Sequence, residues 1–75
     1  MLNEQLVQAE RQLAEVAVRI EKQKVLISRL EEGGLDTAHA AFLLQQSLGL
    51  QKLHEAYRDR LKRELAKVTI ASIQL

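Results

Sequence analysis

The chain has 75 residues with no cysteine and no proline, and 11 Lys and Arg against 10 Asp and Glu leave a formal net charge of +1. The lack of cysteine excludes a disulfide framework and thiolate metal sites. The near-balance of charge removes any bulk electrostatic attraction to nucleic acid or an anionic membrane. Phe42 and Tyr57 are the only aromatics, too few for a base-stacking platform or an interfacial membrane anchor.

The first half reads as one long helix, residues 2–32. Leu2, Leu6, Ala9, Leu13, Val16, Ile20, Gln23, Ile27 and Leu30 are spaced alternately by four and three, an unbroken heptad seam in which only Gln23 is polar. Val7, Ala14, Val18 and Val25 form a weaker stripe on the far side, and Leu26 flanks the main seam. A lone helix pair would leave that stripe in water, so a second buried contact in an oligomer is expected. Glu10, Arg11, Glu15, Arg19, Glu21, Lys22, Lys24 and Arg29 fill the remaining positions with mixed sign, as on a solvated face. Glu4, Glu10 and Arg11 interrupt what a signal peptide would need as its apolar region.

Gly33 and Gly34 supply the left-handed backbone that closes a helix, and Asp36 or Thr37 can accept the free N–H groups that open the next. The break falls near the chain midpoint and predicts an antiparallel hairpin with a turn over residues 33–35. The second helix is expected over residues 36–68, with Asp36 as N-cap and Leu35 packing back on the first turn. Its core stripe is read as Ala40, Leu43 or Leu44, Ser47, Leu50, His54, Tyr57, Leu61, Leu65 and Val68, broadened by Leu48 and Leu53. Gly49 either admits a neighbouring helix or marks a bend. Residues 69–75 are uncharged and rich in β-branched side chains, and are set apart as a tail that could extend the helix, fray or add an edge strand to a partner.

Facing residues in such a hairpin have numbers adding to about 69. Gln23 then meets Gln46 and Ser47 in a polar layer, and His54 meets Glu15 and Gln12, which would give its imidazole an acceptor. The candidates for an oligomer core are Leu6, Leu13, Val16, Ile20, Gln23, Ile27, Leu30, Leu43, Leu50, His54, Tyr57 and Leu61.

No residue set points to catalysis, a cofactor or a metal. His39 and His54 lie about 22 Å apart along a helix and cannot share an ion within one chain. Ser28, Ser47, Ser72, Thr37 and Thr69 have no histidine at short range to act as base. Arg58, Arg60, Arg63 and Lys67 could contact phosphates, and Arg60, Arg63 and Lys67 share one side. Cations late in a helix also complement its dipole, which accounts for them without a nucleic acid. The longest uncharged run, residues 37–51, is too short to span a bilayer, so a cytoplasmic location is expected.

The strings Ala9-Glu10-Arg11, Leu13-Ala14-Glu15, Arg19-Ile20, Gln23, Ile27 and Leu30-Glu31 resemble the first half of a family of short, uncharacterised alphaproteobacterial helical-hairpin proteins. The resemblance continues through Gly34, Asp36-Thr37, Leu43-Leu44, Leu53-His54 and Arg58-Asp59-Arg60-Leu61, covering about residues 9 to 65. The chain departs from that pattern at Ser47, where relatives often carry an aromatic, and at Leu48 and Gly49, where they carry an acid. The resemblance implies a bacterial hairpin and supplies no activity. The expectation is therefore an all-α, coiled-coil-like hairpin that pairs with itself, a dimer or larger, into a four-helix bundle. It would serve as a protein-interaction or scaffold module; a small nucleic-acid-associated regulator is the alternative.

Overall fold

A strict heptad spacing and a proline-free sequence leave nothing to stop a helix before the glycine pair. The computed structural model describes residues 1–74, the side chain of Gln74 excepted. Helix α1 spans Leu2–Glu32 and α2 spans Ala38–Gln74, and the two pack side by side as an all-α hairpin. The molecule is a rod of 65 × 14 × 14 Å. Its radius of gyration is 17.9 Å, against about 11 Å for a compact chain of this length.

The turn is closed by hydrogen bonds from Gly34 N–H to the Glu31 carbonyl (3.0 Å) and from Leu35 N–H to the Leu30 carbonyl (2.8 Å). These are the two bonds of a Schellman motif, which satisfies carbonyls that the helix end would leave free. The two glycines are not equivalent. Gly33 remains right-handed (φ −81°, ψ −2°), and only Gly34 adopts a positive φ, of 69°. Leu35 does not pack on the first turn of α2; it is exposed, with its Cδ1 beside Gly33. Helix α2 begins at Ala38, which puts Thr37, the alternative to Asp36, at the N-cap position. Asp36 still serves the helix start, because its Oδ1 accepts the Ala38 N–H at 2.9 Å.

At its other end α2 runs through the segment read as a tail. No glycine or proline follows Gly49, and β-branched residues lower helix propensity only slightly. The Thr69 hydroxyl donates to the Leu65 carbonyl at 3.0 Å, so its polar group is satisfied within the helix. Leu75, the last tail residue, lies outside the described residues. Helix α2 is continuous through Gly49.

Gly34→Ala should cost about 1 kcal/mol, since alanine is strained at positive φ. Gly33→Ala should cost nothing, because its Cβ would meet only ordinary contacts of 3.6–3.7 Å. Thermal unfolding followed by circular dichroism should show a drop of about 5 °C for the first variant alone.

Candidate interaction surface

The heptad seam of α1 is the buried side of that helix: Ala9, Val16 and Ile20 are buried, and Leu2, Leu6, Leu13, Gln23, Ile27 and Leu30 are half-buried. On α2 the inward line is Ala40, Leu44, Ser47, Gln51, His54, Arg58, Leu61 and Leu65. Ala40, Ser47 and Leu61 are buried, Leu61 with 2 % exposure, and the others are half-buried. Leu50 and Tyr57, both placed on the core stripe by the sequence, are instead 36 % exposed. Gln51 and Arg58 take the inward positions. Val68, at the end of the expected stripe, is also exposed.

The helical screw accounts for the exchange. Ala40, Ser47, His54 and Leu61 recur every seven residues and mark the line facing α1. Four residues beyond a member turn 400°, landing about 40° from that line, whereas three residues turn 300°, landing about 60° away on the other side. In α1 the apolar partners follow at four: Leu6, Leu13, Ile20 and Ile27. In α2 they follow at three: Leu43, Leu50 and Tyr57. The position at four is held in mid-helix by Gln51 and Arg58, whose long stems can lie along the seam.

The oligomer-core candidates thus separate into two groups. Leu6, Leu13, Val16, Ile20, Gln23, Ile27, Leu30, His54 and Leu61 lie along the contact between the two helices of one chain, and Leu43 flanks it. Leu50 flanks it too, on the groove it shares with Arg19 and Gln23, and Tyr57 is as exposed as Leu50. Beside them, farther from α1, stand Phe42 at 58 % and Leu53 at 70 % exposure, so Leu53 does not broaden the core. The same region of α2 carries Gly49, where an added Cβ would meet nothing within 4 Å. Helix α1 exposes Val7, Val18, Val25 and Leu26.

A groove of about 250 Å³ opens on the flank between the helices, lined by Arg19, Gln23, Leu43, Gln46, Ser47 and Leu50. Gln23, Gln46 and Ser47 therefore share one wall, but Gln23 Oε1 is buried without a hydrogen-bond partner. The amide gains no compensation for leaving water there. His54 is half-buried, and no hydrogen bond joins its imidazole to Glu15. Glu15 precedes the buried Val16 and so points about 100° away from the seam; it lines a different groove with Val18, Arg19 and Lys22.

The cations of α2 are dispersed. Arg58 pairs with Asp59 at 3.0 Å on the seam side. Arg60 approaches Glu64 at 3.9 Å and lies 5.2 Å from the Tyr57 ring centroid. Exposed pairs of this kind contribute little to stability. Among the described residues no group of His, Asp and Glu could hold a metal ion, and no helix is long and apolar enough to cross a membrane. No protein-family model, curated protein or solved structure matches the chain.

Gln23→Leu should raise stability by about 1 kcal/mol, because it removes a buried acceptor that has no donor. Urea unfolding should show the midpoint rise with an unchanged slope.

Proposed function

We propose that the protein is a homo-oligomeric helical module that acts by binding protein, first of all itself, as a dimer forming a four-helix bundle. One observation carries the reading: the hairpin exposes 5881 Å², whereas a compact protein of 8.5 kDa exposes about 4,700 Å². The surplus of about 1,200 Å² exceeds the roughly 800 Å² that one partner contributes to a standard interface. The exposed side chains include Phe42 and Leu53 on α2 and Val18, Val25 and Leu26 on α1, and apolar side chains grouped on a helix face mark a contact.

A scaffold or adaptor role follows from this chemistry. The surface offers shape and apolar area for another protein to pack against. The nucleic-acid reading loses support from Arg58, which sits half-buried beside α1 and is paired with Asp59. The resemblance to the alphaproteobacterial hairpin proteins supports a bacterial setting.

Sedimentation equilibrium at micromolar concentration should return at least twice the 8.5 kDa chain mass. A chain that stays monomeric into the hundreds of micromolar would contradict self-association.

A further inference from the structure

Between His39 and Arg60, one side of α2 carries Phe42, Gln46, Gly49, Leu50, Leu53 and Tyr57, with no Asp, Glu, Lys or Arg among them. From Phe42 to Tyr57 this uncharged arc runs about 22 Å along the helix. The outer stripe of α1 differs. There Arg11, Lys22 and Arg29 rise among Val7, Ala14, Val18 and Val25, and burying that stripe would strip water from their charges.

The middle of the arc is Gly49. Glycine is a poor helix residue, and nothing inside the hairpin requires it, since a Cβ there would meet open space. At the midpoint of an uncharged face a missing side chain has another use: it is where two crossing helices come nearest. The groove with the unpaired Gln23 Oε1 opens along the same side, because Leu43, Gln46 and Leu50 line it.

Resting on the self-association proposed above, we infer that this arc docks a second copy of the chain, α2 against α2 and antiparallel, with the two-fold axis passing beside Gly49 and Leu50. Phe42 of each copy then faces Tyr57 of the other, and Gln46 faces Leu53. Charge sets the direction. Arg58, Arg60, Lys62, Arg63 and Lys67 outnumber Asp59 and Glu64 in the C-terminal half of α2, while Glu31, Glu32 and Asp36 gather at the turn. A parallel pair would set the two basic halves side by side. The antiparallel pair brings each basic half to the acidic turn of the other copy, with Arg63 level with Asp36 and Lys62 level with Glu32, and it opposes the two helix dipoles.

The chain has no cysteine of its own, so single cysteines report both the face and its direction. Under mild oxidation with diamide, Gly49→Cys should link into a covalent dimer. Phe42→Cys should not link to itself, because its two copies stand about 22 Å apart and a disulfide needs Cα atoms within about 7 Å. Phe42→Cys mixed with Tyr57→Cys should link. In sedimentation, Leu53→Glu should raise the dimer dissociation constant about tenfold or more, and Val18→Glu should leave it unchanged. Both side chains are exposed in the hairpin, and circular dichroism verifies that each variant is folded. Self-linking of Phe42→Cys as readily as Gly49→Cys would overturn the antiparallel direction. A wild-type dimer disrupted by Val18→Glu, and not by Leu53→Glu, would overturn the face while leaving self-association intact. A monomeric wild-type chain would remove the self-association itself.

Discussion

Where the side chains of α2 point is decided by the angular difference between a step of three residues and a step of four. Both helices keep a seven-residue repeat along their contact line. In α1 the second apolar residue of each heptad stands at the position nearer that line, so the helix spends its apolar side chains inside the hairpin. In α2 the second apolar residue of the two middle heptads, Leu50 and Tyr57, stands at the farther position. Gln51 and Arg58 are left on the inside. The apolar arc of α2 therefore lies to the side of its contact with α1, and at mid-helix α2 turns Ser47, Gln51 and Arg58 toward a side of α1 that buries Val16 and Ile20.

That offset joins stability to assembly. A helix pair is stabilised mainly by burying one face of each helix, and here the second helix withholds part of its face. Ser47 and Gln23 add polar groups to the same stretch, one of them with an unpaired oxygen. The inner contact is strongest where Ala9, Val16, Ile20 and Leu61 are buried. What the centre lacks inwardly, Phe42, Leu50, Leu53 and Tyr57 offer outwardly. Chains of this size generally depend on some addition to their own core, and this geometry provides an apolar surface on which one can be built.

Much of the fold was legible in the sequence. The unbroken spacing of α1 announced its buried side residue by residue, and the paired glycines marked the reversal. The division of labour within the turn was not legible, because adjacent glycines are equivalent in a sequence and only the hydrogen-bond ladder makes Gly34 the left-handed one. The α2 stripe was misread at Leu50 and Tyr57 for a physical reason: an apolar residue was assumed to face inward, whereas the facing line is set by Ala40, Ser47, His54 and Leu61 together. The conformation of the tail was open between helix extension, fraying and an edge strand, and residues 69–74 extend the helix because nothing in them breaks one. The exposed arc of α2 could have been found from a three-residue step recurring with Leu43, Leu50 and Tyr57.

Tyr57 is the only tyrosine and the chain has no tryptophan, so its fluorescence reports on the outer arc of α2 alone. The most direct measurement is acrylamide quenching of that emission across a dilution series from hundreds of micromolar to well below one micromolar. With the arc covered by a second copy and uncovered in the free hairpin, quenching should be weak in concentrated samples and should strengthen on dilution while helicity is retained. Quenching that is strong and unchanged at every concentration would contradict an account in which α2 keeps its apolar face for another molecule of the same chain.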